Sequence, residues 1–325
     1  PPAPKAAPKA HPMKVAKKTP PPPKPDPAPP VKIAKAVPPP PTPKPPTIKV
    51  ATAPRRNPEP PAPALLPARE AAFPGAGEAL NVTQGPRSAK RLLLSFDGGS
   101  NAEGTEDILD ALKARGIRTT IFLTGAFIQK FPALVRRMAA EGHELGNHTM
   151  HHPHMAPNMR PDPKWSKAKV QEELLSADRA LIHLLGRPMA PLWRAPYGEH
   201  TAEIRRWVEE LGYRHIGWSE GADSLDWATP QQRKLYRSGD AVLARLYSRL
   251  NRNGEGLIVL MHLGSEREEG DRPADKLGAF LDRALAEGWT FVTASEMLRG
   301  MGKPAWNPEG RLALLHPANS GSGAE

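Results

Sequence analysis

The sequence predicts an α/β fold, a parallel sheet closed into a barrel of about seven strands. Three observations carry that prediction. From about Ser88 onward, short apolar runs alternate with amphipathic segments, the rhythm of strand–helix units. Gly116, Gly142, Gly186, Gly212 and Gly288 each stand just past a helical run, where a left-handed C-cap takes Gly. The residues able to do chemistry fall at the C-terminal ends of the strands, the face on which barrel enzymes build their sites.

Taken in order, Arg91–Phe96 is the first strand, followed by a helix near Glu106–Arg115 that Gly116 stops. Thr119–Leu123 leads into a helix over Phe127–Glu141, ended by Gly142, and Glu144–Asn147 is the third strand. A long helix over Val170–Leu185 runs to Gly186, then Leu192–Arg194 and a helix over Thr201–Leu211 before Gly212. His215–Trp218, a helix over Asp240–Leu250, Leu257–Met261, a helix over Lys276–Glu287, Thr290–Val292 and a last helix at Ser295–Arg299 complete the series. The expected boundaries are a disordered Pro/Lys-rich stalk at 1–83, a globular α/β domain at 84–303 and a flexible C-terminal tail at 304–325.

Composition isolates the stalk. Of the chain's 41 prolines, 27 precede residue 75, in runs such as Pro20–Pro23 and Pro38–Pro41. Such a segment has little apolar surface to bury and favours extended polyproline II. Residues 1–60 hold ten Lys and two Arg against Asp26 and Glu59, a net +10 of the chain's +11, so the remainder is near neutral. At ~3.1 Å per residue, sixty such residues reach on the order of 190 Å. A spacer across a cell envelope is the expected role, its lysines favouring anionic envelope surfaces in a salt-dependent way. No recognition module or aromatic stacking platform accompanies the charge, so no nucleic-acid partner is expected. No run approaches the eighteen apolar residues of a membrane helix. The absence of Cys excludes disulfides and thiol catalysis and fits an exported protein, in the periplasm or cell envelope. A signal or anchor is expected to have preceded residue 1.

The chemistry concentrates in Asn147-His148-Thr149-Met150-His151-His152-Pro153-His154. His148 and His152 lie four positions apart directly after a strand, so one helical turn or tight loop aims both imidazoles at a common point, as a zinc-like ion requires. Asp97, Arg194-Ala195-Pro196-Tyr197, Asp223-Ser224-Leu225-Asp226-Trp227 and His262 sit at other strand ends. Amide hydrolysis needs an activated water, an electrophile on the carbonyl and a proton donor to the departing nitrogen. These residue types supply two metal ligands, a base, an acid and groups to orient both, so together they describe a hydrolytic site.

Ser95-Phe96-Asp97-Gly98-Gly99, His148-Thr149-Met150-His151-His152, Arg194-Ala195-Pro196-Tyr197, Asp223–Trp227 and Leu260-Met261-His262 resemble, in order and spacing, the five motifs of the polysaccharide deacetylase (NodB-homology) domain, carbohydrate esterase family 4. The resemblance covers roughly residues 88–300. It implies a distorted (β/α) barrel that removes acetyl groups from N-acetylated sugars, or from O-acetylated xylan, with a divalent metal: zinc is favoured, cobalt and manganese being alternatives. It implies that His148 and His152 hold the metal and that Asp97 is the general base, kept ionised by Arg194. By the same resemblance the Tyr197 backbone N–H helps stabilise the oxyanion. Asp226 pairs with His262, the general acid, and Trp227 and Leu260 wall a pocket sized for a methyl group.

One position departs from the family pattern. The resemblance implies a second aspartate after Asp97 as third metal ligand, and this chain has Gly98. Four readings follow: weaker binding through His148, His152 and waters; a replacement ligand from Asn101, Glu103 or His154; Asp97 turning to the metal; or a domain that binds glycan without hydrolysing it. A subset resembling muramic-acid deacetylases of bacterial peptidoglycan tolerates a non-Asp residue there, and the Gly104-Thr105 of this chain is similar to theirs. The expected activity is therefore hydrolysis of acetamides on a polysaccharide, peptidoglycan first, with chitin-like or other acetylated glycans as alternative partners. The rivals are a non-catalytic glycan-binding module and a metal-free amide or cyclic-imide hydrolase. His143, His183, His200, His215 and His316 are expected to be structural or solvent-facing, Trp165, Trp193, Trp218 and Trp289 to be packing residues, and Asp223 to be the alternative to Asp226.

Overall fold

The structure of the chain, a computed structural model, describes residues 81–300 together with Arg311, Leu314 and Leu315. The expected stalk up to residue 80, His316 and most of the expected tail lie outside the described residues. The strands are β1 (Asn81–Val82), β2 (Arg91–Gly98), β3 (Thr120–Leu123), β4 (Glu144–Asn147), β5 (Leu192–Trp193), β6 (Arg214–Ile216), β7 (Leu257–His262) and β8 (Thr290–Phe291). The helices are α1 (Thr105–Lys113), α2 (Gly125–Lys130), α3 (Pro132–Ala140), α4 (Lys167–Leu185), α5 (Ala202–Glu209), α6 (Gly239–Asn253), α7 (Leu277–Ala286) and α8 (Ala294–Gly300). All strand pairs are parallel, in the order β1-β6-β5-β4-β3-β2-β7, with β8 on the start of β2. Seven strands curl into a half-barrel. The chain after β6 runs across to β7, where Ser219 N–H donates to Ile258 O and Ser224 N–H to Leu260 O.

Strand parity assigns each residue a face. Along β2, Leu92, Leu94 and Phe96 pack under the helices with Leu123, Phe127, Met261 and Leu263. Leu93 belongs to the other face, with Phe122, Leu192, Ile216 and Ile258. Ser95 and Asp97 continue that inner row, so the barrel interior passes from apolar at its base to polar at its mouth. Burial of each such apolar side chain contributes about 1.5–3 kcal/mol. Register then sets the height of the chemistry: Asp97 lies opposite His262 on β7, and Leu123 of β3 opposite Asn147 at the end of β4. Helix ends are fixed locally. The Thr124 hydroxyl accepts from Phe127 N–H at the start of α2, and Gly186 closes α4 at φ +71°.

Two expectations are corrected. The helix expected over Phe127–Glu141 is two helices, broken at Phe131 (φ −126°, ψ 54°), because Pro132 has no N–H to continue the ladder and restricts the residue before it. Residues 81 and 82, expected in the stalk, belong to the sheet: Asn81 and Val82 pair with His215 and Ile216, and Asn81 Oδ1 meets His215 Nδ1 at 2.8 Å. Two residues carry no periodicity, and their order comes from the β6 edge they cover. Among the described residues no helix is long and apolar enough to cross a membrane.

Candidate active site

Asp97 ends the inner row of β2, 4 % exposed, with Arg194 wholly buried beside it. Arg194 Nη1 donates to Asp97 Oδ1 at 2.7 Å, Nη2 to Ser95 Oγ at 2.8 Å and Gly217 O at 3.1 Å, and Nε to Ile216 O at 3.0 Å. Its guanidinium lies 4.3 Å from the centre of the Phe122 ring. These four acceptors satisfy a guanidinium that burial has cut off from water. Burial would raise the Asp97 carboxyl, but Arg194, with His148 and His262, brings it below its ordinary value. The mouth of the barrel therefore carries a buried carboxylate.

The His pair sits in a tight loop rather than a helical turn. Thr149 (φ 68°) and His152 (φ 57°) both take left-handed backbone, which non-Gly residues adopt only when the surroundings hold them there. The surroundings do so. Thr149 N–H donates to Asn147 Oδ1 (2.8 Å) and His152 N–H to Thr149 Oγ1 (3.1 Å). Gly125 and Ala126, opening α2, donate to the carbonyls of Thr149 and Met150, each at 3.0 Å. That approach needs Gly at 125, where a Cβ would lie 2.0 Å from Met150 Sδ. Glu173 of α4 accepts from Met150 N–H (3.1 Å) and His151 N–H (2.9 Å) through Oε2 and meets His151 Nδ1 at 2.9 Å through Oε1.

His148 Nδ1 donates to Arg194 O at 2.9 Å, which leaves the Nε2 lone pair facing Asp97 Oδ2 at 3.5 Å. Burial lowers the His148 pKa despite Asp97, and burial together with His148 brings His152 down to about 3, so both rings are neutral at pH 7. Their centroids are 4.8 Å apart. Two neutral imidazoles beside a carboxylate, with a lone pair turned toward an anionic oxygen and the proton parked on the far nitrogen, are the donor chemistry a divalent cation takes. Among the described residues no three His, Asp or Glu side chains form a complete metal cage. Gly98 adds nothing to it: it belongs to the outer row of β2, where a Cβ would meet Leu123 Cδ2 at 2.7 Å, Leu263 Cδ1 at 3.0 Å and Phe127 Cδ2 at 3.3 Å. The residues present fit a metal held through His148 and His152 with Asp97 adjoining.

His262 ends β7 beside Asp97, and Asp226 grips it twice, Oδ1 on Nδ1 at 2.7 Å and Oδ2 on the backbone N–H at 2.8 Å. Burial would lower this imidazole, but Asp226, with Asp97 and Asp223, raises it to about 9. Asp223, the alternative partner, caps its own turn by accepting from Leu225 N–H at 2.9 Å. Leu225 is left-handed (φ 57°), and two arginines clamp this turn: Arg245 donates to Asp223 O, and buried Arg267 to Leu225 O at 3.3 Å and Arg237 O at 2.7 Å.

A cleft of about 820 Å³ joins these groups. Asp97, His148, His152, Tyr197, Trp227, Leu260 and His262 line it, while Arg194 and Asp226 stand behind the side chains they hold. Tyr197 and Trp227 are its most open aromatics, 54 % and 39 % exposed. Tyr197 is left-handed (φ 57°, ψ 8°), its ring stacked on His154 at 3.7 Å with His152 edge-on at 4.4 Å. His154, weighed as a replacement ligand, instead meets Glu199 at 3.0 Å; Glu103 is exposed, and Asn101 lines the cleft. Trp218, expected only to pack, also lines the cleft and closes over Gly198. Sequence reasoning missed Ser95, Glu173, Arg245 and Arg267. Only Ser95 had a signal, as the inward residue two before Asp97.

A family described as polysaccharide deacetylase matches residues 84–216. The chain is 35 % identical over 175 residues to a chitooligosaccharide deacetylase of Bradyrhizobium sp. (strain ANU 289), covering 54 % of this chain and 71 % of that one. It is 30 % identical over 216 residues to a peptidoglycan-N-acetylglucosamine deacetylase of Bacillus cereus, covering 66 % and 70 %. The crystal structure of the Bc1960 peptidoglycan N-acetylglucosamine deacetylase, in complex with 4-naphthalen-1-yl-N-oxidanyl-benzamide, superposes with a TM-score of 0.58 at 26 % identity, over 71 % of this chain and 96 % of that one. With its parallel half-barrel and a cleft at the strand ends, the chain belongs to the polysaccharide deacetylase family, carbohydrate esterase family 4, and is an enzyme of that family.

Proposed function

We propose that this enzyme hydrolyses the acetamides of N-acetylated amino sugars in a polysaccharide, with peptidoglycan as favoured substrate and zinc as favoured metal. The observation that carries the reading is one register position: the buried, arginine-held Asp97 lies opposite the aspartate-held His262, with His148 beside it. A divalent ion, when bound by His148 and His152, supplies Lewis-acid chemistry to the acetamide carbonyl. Asp97 takes a proton from the attacking water, and the Tyr197 N–H donates to the oxygen on which charge develops. His262, its Nδ1 held by Asp226, gives the proton on Nε2 to the departing nitrogen as the C–N bond breaks. Acetate and a free amine leave. Trp227 and Leu260 form the apolar wall against the acetyl methyl. Relatives named for peptidoglycan and for chitooligosaccharides support an acetylated glycan, and the basic Pro-rich arm supports an envelope location with peptidoglycan first.

Acetate release from purified peptidoglycan and from chitooligosaccharides, after chelation and resupply of zinc, cobalt or manganese, tests the reading. Release that stops on chelation and returns with metal is the expected result. Gly98, with no side chain to offer, favours the second reading of a non-catalytic glycan-binding module. That reading requires saturable glycan binding without acetate release under any metal. Under the first, Asp97→Asn lowers kcat by about 100-fold or more; under the second it changes nothing.

A further inference from the structure

Beneath the His loop, on the outer face of β4, lies a buried polar chain that the proposed mechanism does not use. Asp178 of α4, Tyr213 and Asn147 are all fully buried, and Arg311, from the segment expected to be a flexible tail, is 1 % exposed against them. Asn147 Nδ2 donates to Tyr213 Oη at 3.1 Å, and Tyr213 donates in turn to Asp178 Oδ2. Asp178 Oδ1 accepts from Met189 N–H at 2.7 Å. Arg311 stands 3.4 Å from Asp178 Oδ2, donates to Met189 O at 3.1 Å and lies 4.5 Å from the centre of the Tyr213 ring. At its far end Asn147 Nδ2 also donates to Leu174 O at 2.8 Å, and Asn147 Oδ1 holds Thr149 N–H at 2.8 Å, the first anchor of the loop carrying His148 and His152.

We propose that Arg311 is a positioning residue for the His148–His152 loop, acting by keeping this chain of hydrogen bonds running in one direction. The inference rests on the reading of those two histidines as metal ligands. Burial pushes the Asp178 carboxyl up against Arg311, the Tyr213 hydroxyl and the Met189 N–H, and Arg311 is the largest of these opposing influences and the one that carries a charge. An ionised Asp178 only accepts, which makes Tyr213 the donor to it and leaves the phenol oxygen to accept from Asn147. A protonated Asp178 donates instead, and the Tyr213 hydrogen then turns toward Asn147. The Asn147 amide must flip to receive it, which puts its NH₂ against the Thr149 N–H, donor against donor. The loop loses its anchor at a residue already in strained backbone.

Cobalt(II) affinity and the cobalt d–d spectrum of the full-length chain, measured well below each variant's Tm, test this. Arg311→Met fills the space without the charge and is expected to weaken cobalt(II) binding about tenfold, the low end for changes behind a metal ligand, and to alter the spectrum. Arg311→Lys restores the charge and is expected to restore both. Tyr213→Phe removes the hydroxyl through which the reversal passes and leaves Asn147 Nδ2 on Leu174 O, so it is expected to bind cobalt(II) as the parent does and, in the double variant, to cancel the effect of Arg311→Met. Should Arg311→Met lower Tm while affinity and spectrum match the parent, or weaken binding equally with and without Tyr213→Phe, Arg311 does not act through this chain and the proposal falls. A parent chain that takes up no cobalt(II) overturns the metal reading and this inference with it.

Discussion

Gly98 and Asp97 are neighbours with opposite surroundings, since successive residues of a strand face opposite sides. Asp97 faces a guanidinium and an imidazole; a side chain at 98 would face Leu123, Leu263 and Phe127. Gly98→Asp is therefore expected to add no metal affinity and to destabilise by about 1–3 kcal/mol through overpacking alone, with further cost for a carboxylate against an apolar wall. Calorimetric metal titration and thermal melts check this; tighter metal binding in the variant would refute it. The acid dyad gives a pH signature. His262 is raised to about 9 from 6.5, so its pairing with Asp226 contributes stability in full below pH 6.5, lost as the pH rises through about 9. The alkaline limb of kcat/KM is expected near pH 9. In Asp226→Asn, burial is no longer opposed by that carboxylate, and the limb moves toward neutrality; a limb that stays near 9 would assign it to another group.

At the scale of elements, the site depends on helices that contribute none of its reacting groups. α2 and α4 grip the His loop from two sides, α2 through its opening N–H groups and α4 through Glu173. Removal of the carboxylate leaves Met150 N–H, under a buried residue, without its acceptor, at a cost of about 1–3 kcal/mol. Glu173→Ala is expected to lower Tm and weaken cobalt(II) binding together, and Glu173→Gln, which keeps an accepting oxygen, to recover most of both. Equal metal affinity in all three proteins would show that the loop holds itself. The break between α2 and α3 was legible in Pro132, whereas the grip of α4 was not. Glu173 and the amides it holds are 22 and 23 residues apart, with no periodicity linking them.

For the whole molecule, β1 moves the N-terminal limit of the sheet to Asn81. A chain begun at residue 84 lacks the strand covering β6, the Asn81–His215 contact and the carbonyls of Val82 and Thr83 that accept from Gly217 N–H and the Ser219 hydroxyl. It is expected to be less stable than one begun at residue 79 by about 1–2 kcal/mol, or roughly 2–8 °C in Tm; identical melts would place the limit at 84 after all. Both are expected to turn over soluble oligosaccharides alike. The full chain, with its net +10 over residues 1–60, should bind anionic envelope surfaces more tightly, by a margin that shrinks with salt.

The sequence alone determined where the chemistry stands along the chain. Asp97, His148, His152, Arg194, Tyr197, Asp226 and His262 are legible because their types and spacing differ from the apolar runs that carry them, and those runs announce the strands. What faces each residue was decided by tertiary structure. The choice of Asp226 over Asp223 turns on which carboxylate a clamped, left-handed turn presents to His262, the outward position of Gly98 on which helix covers β2, and the burial of Arg311 on a carboxylate 133 residues earlier in the chain. Each depends on partners brought together by the closing sheet. Local sequence records which groups are available and how they alternate, but the low-dielectric surroundings that set their charge and direction exist only once distant segments exclude water from them.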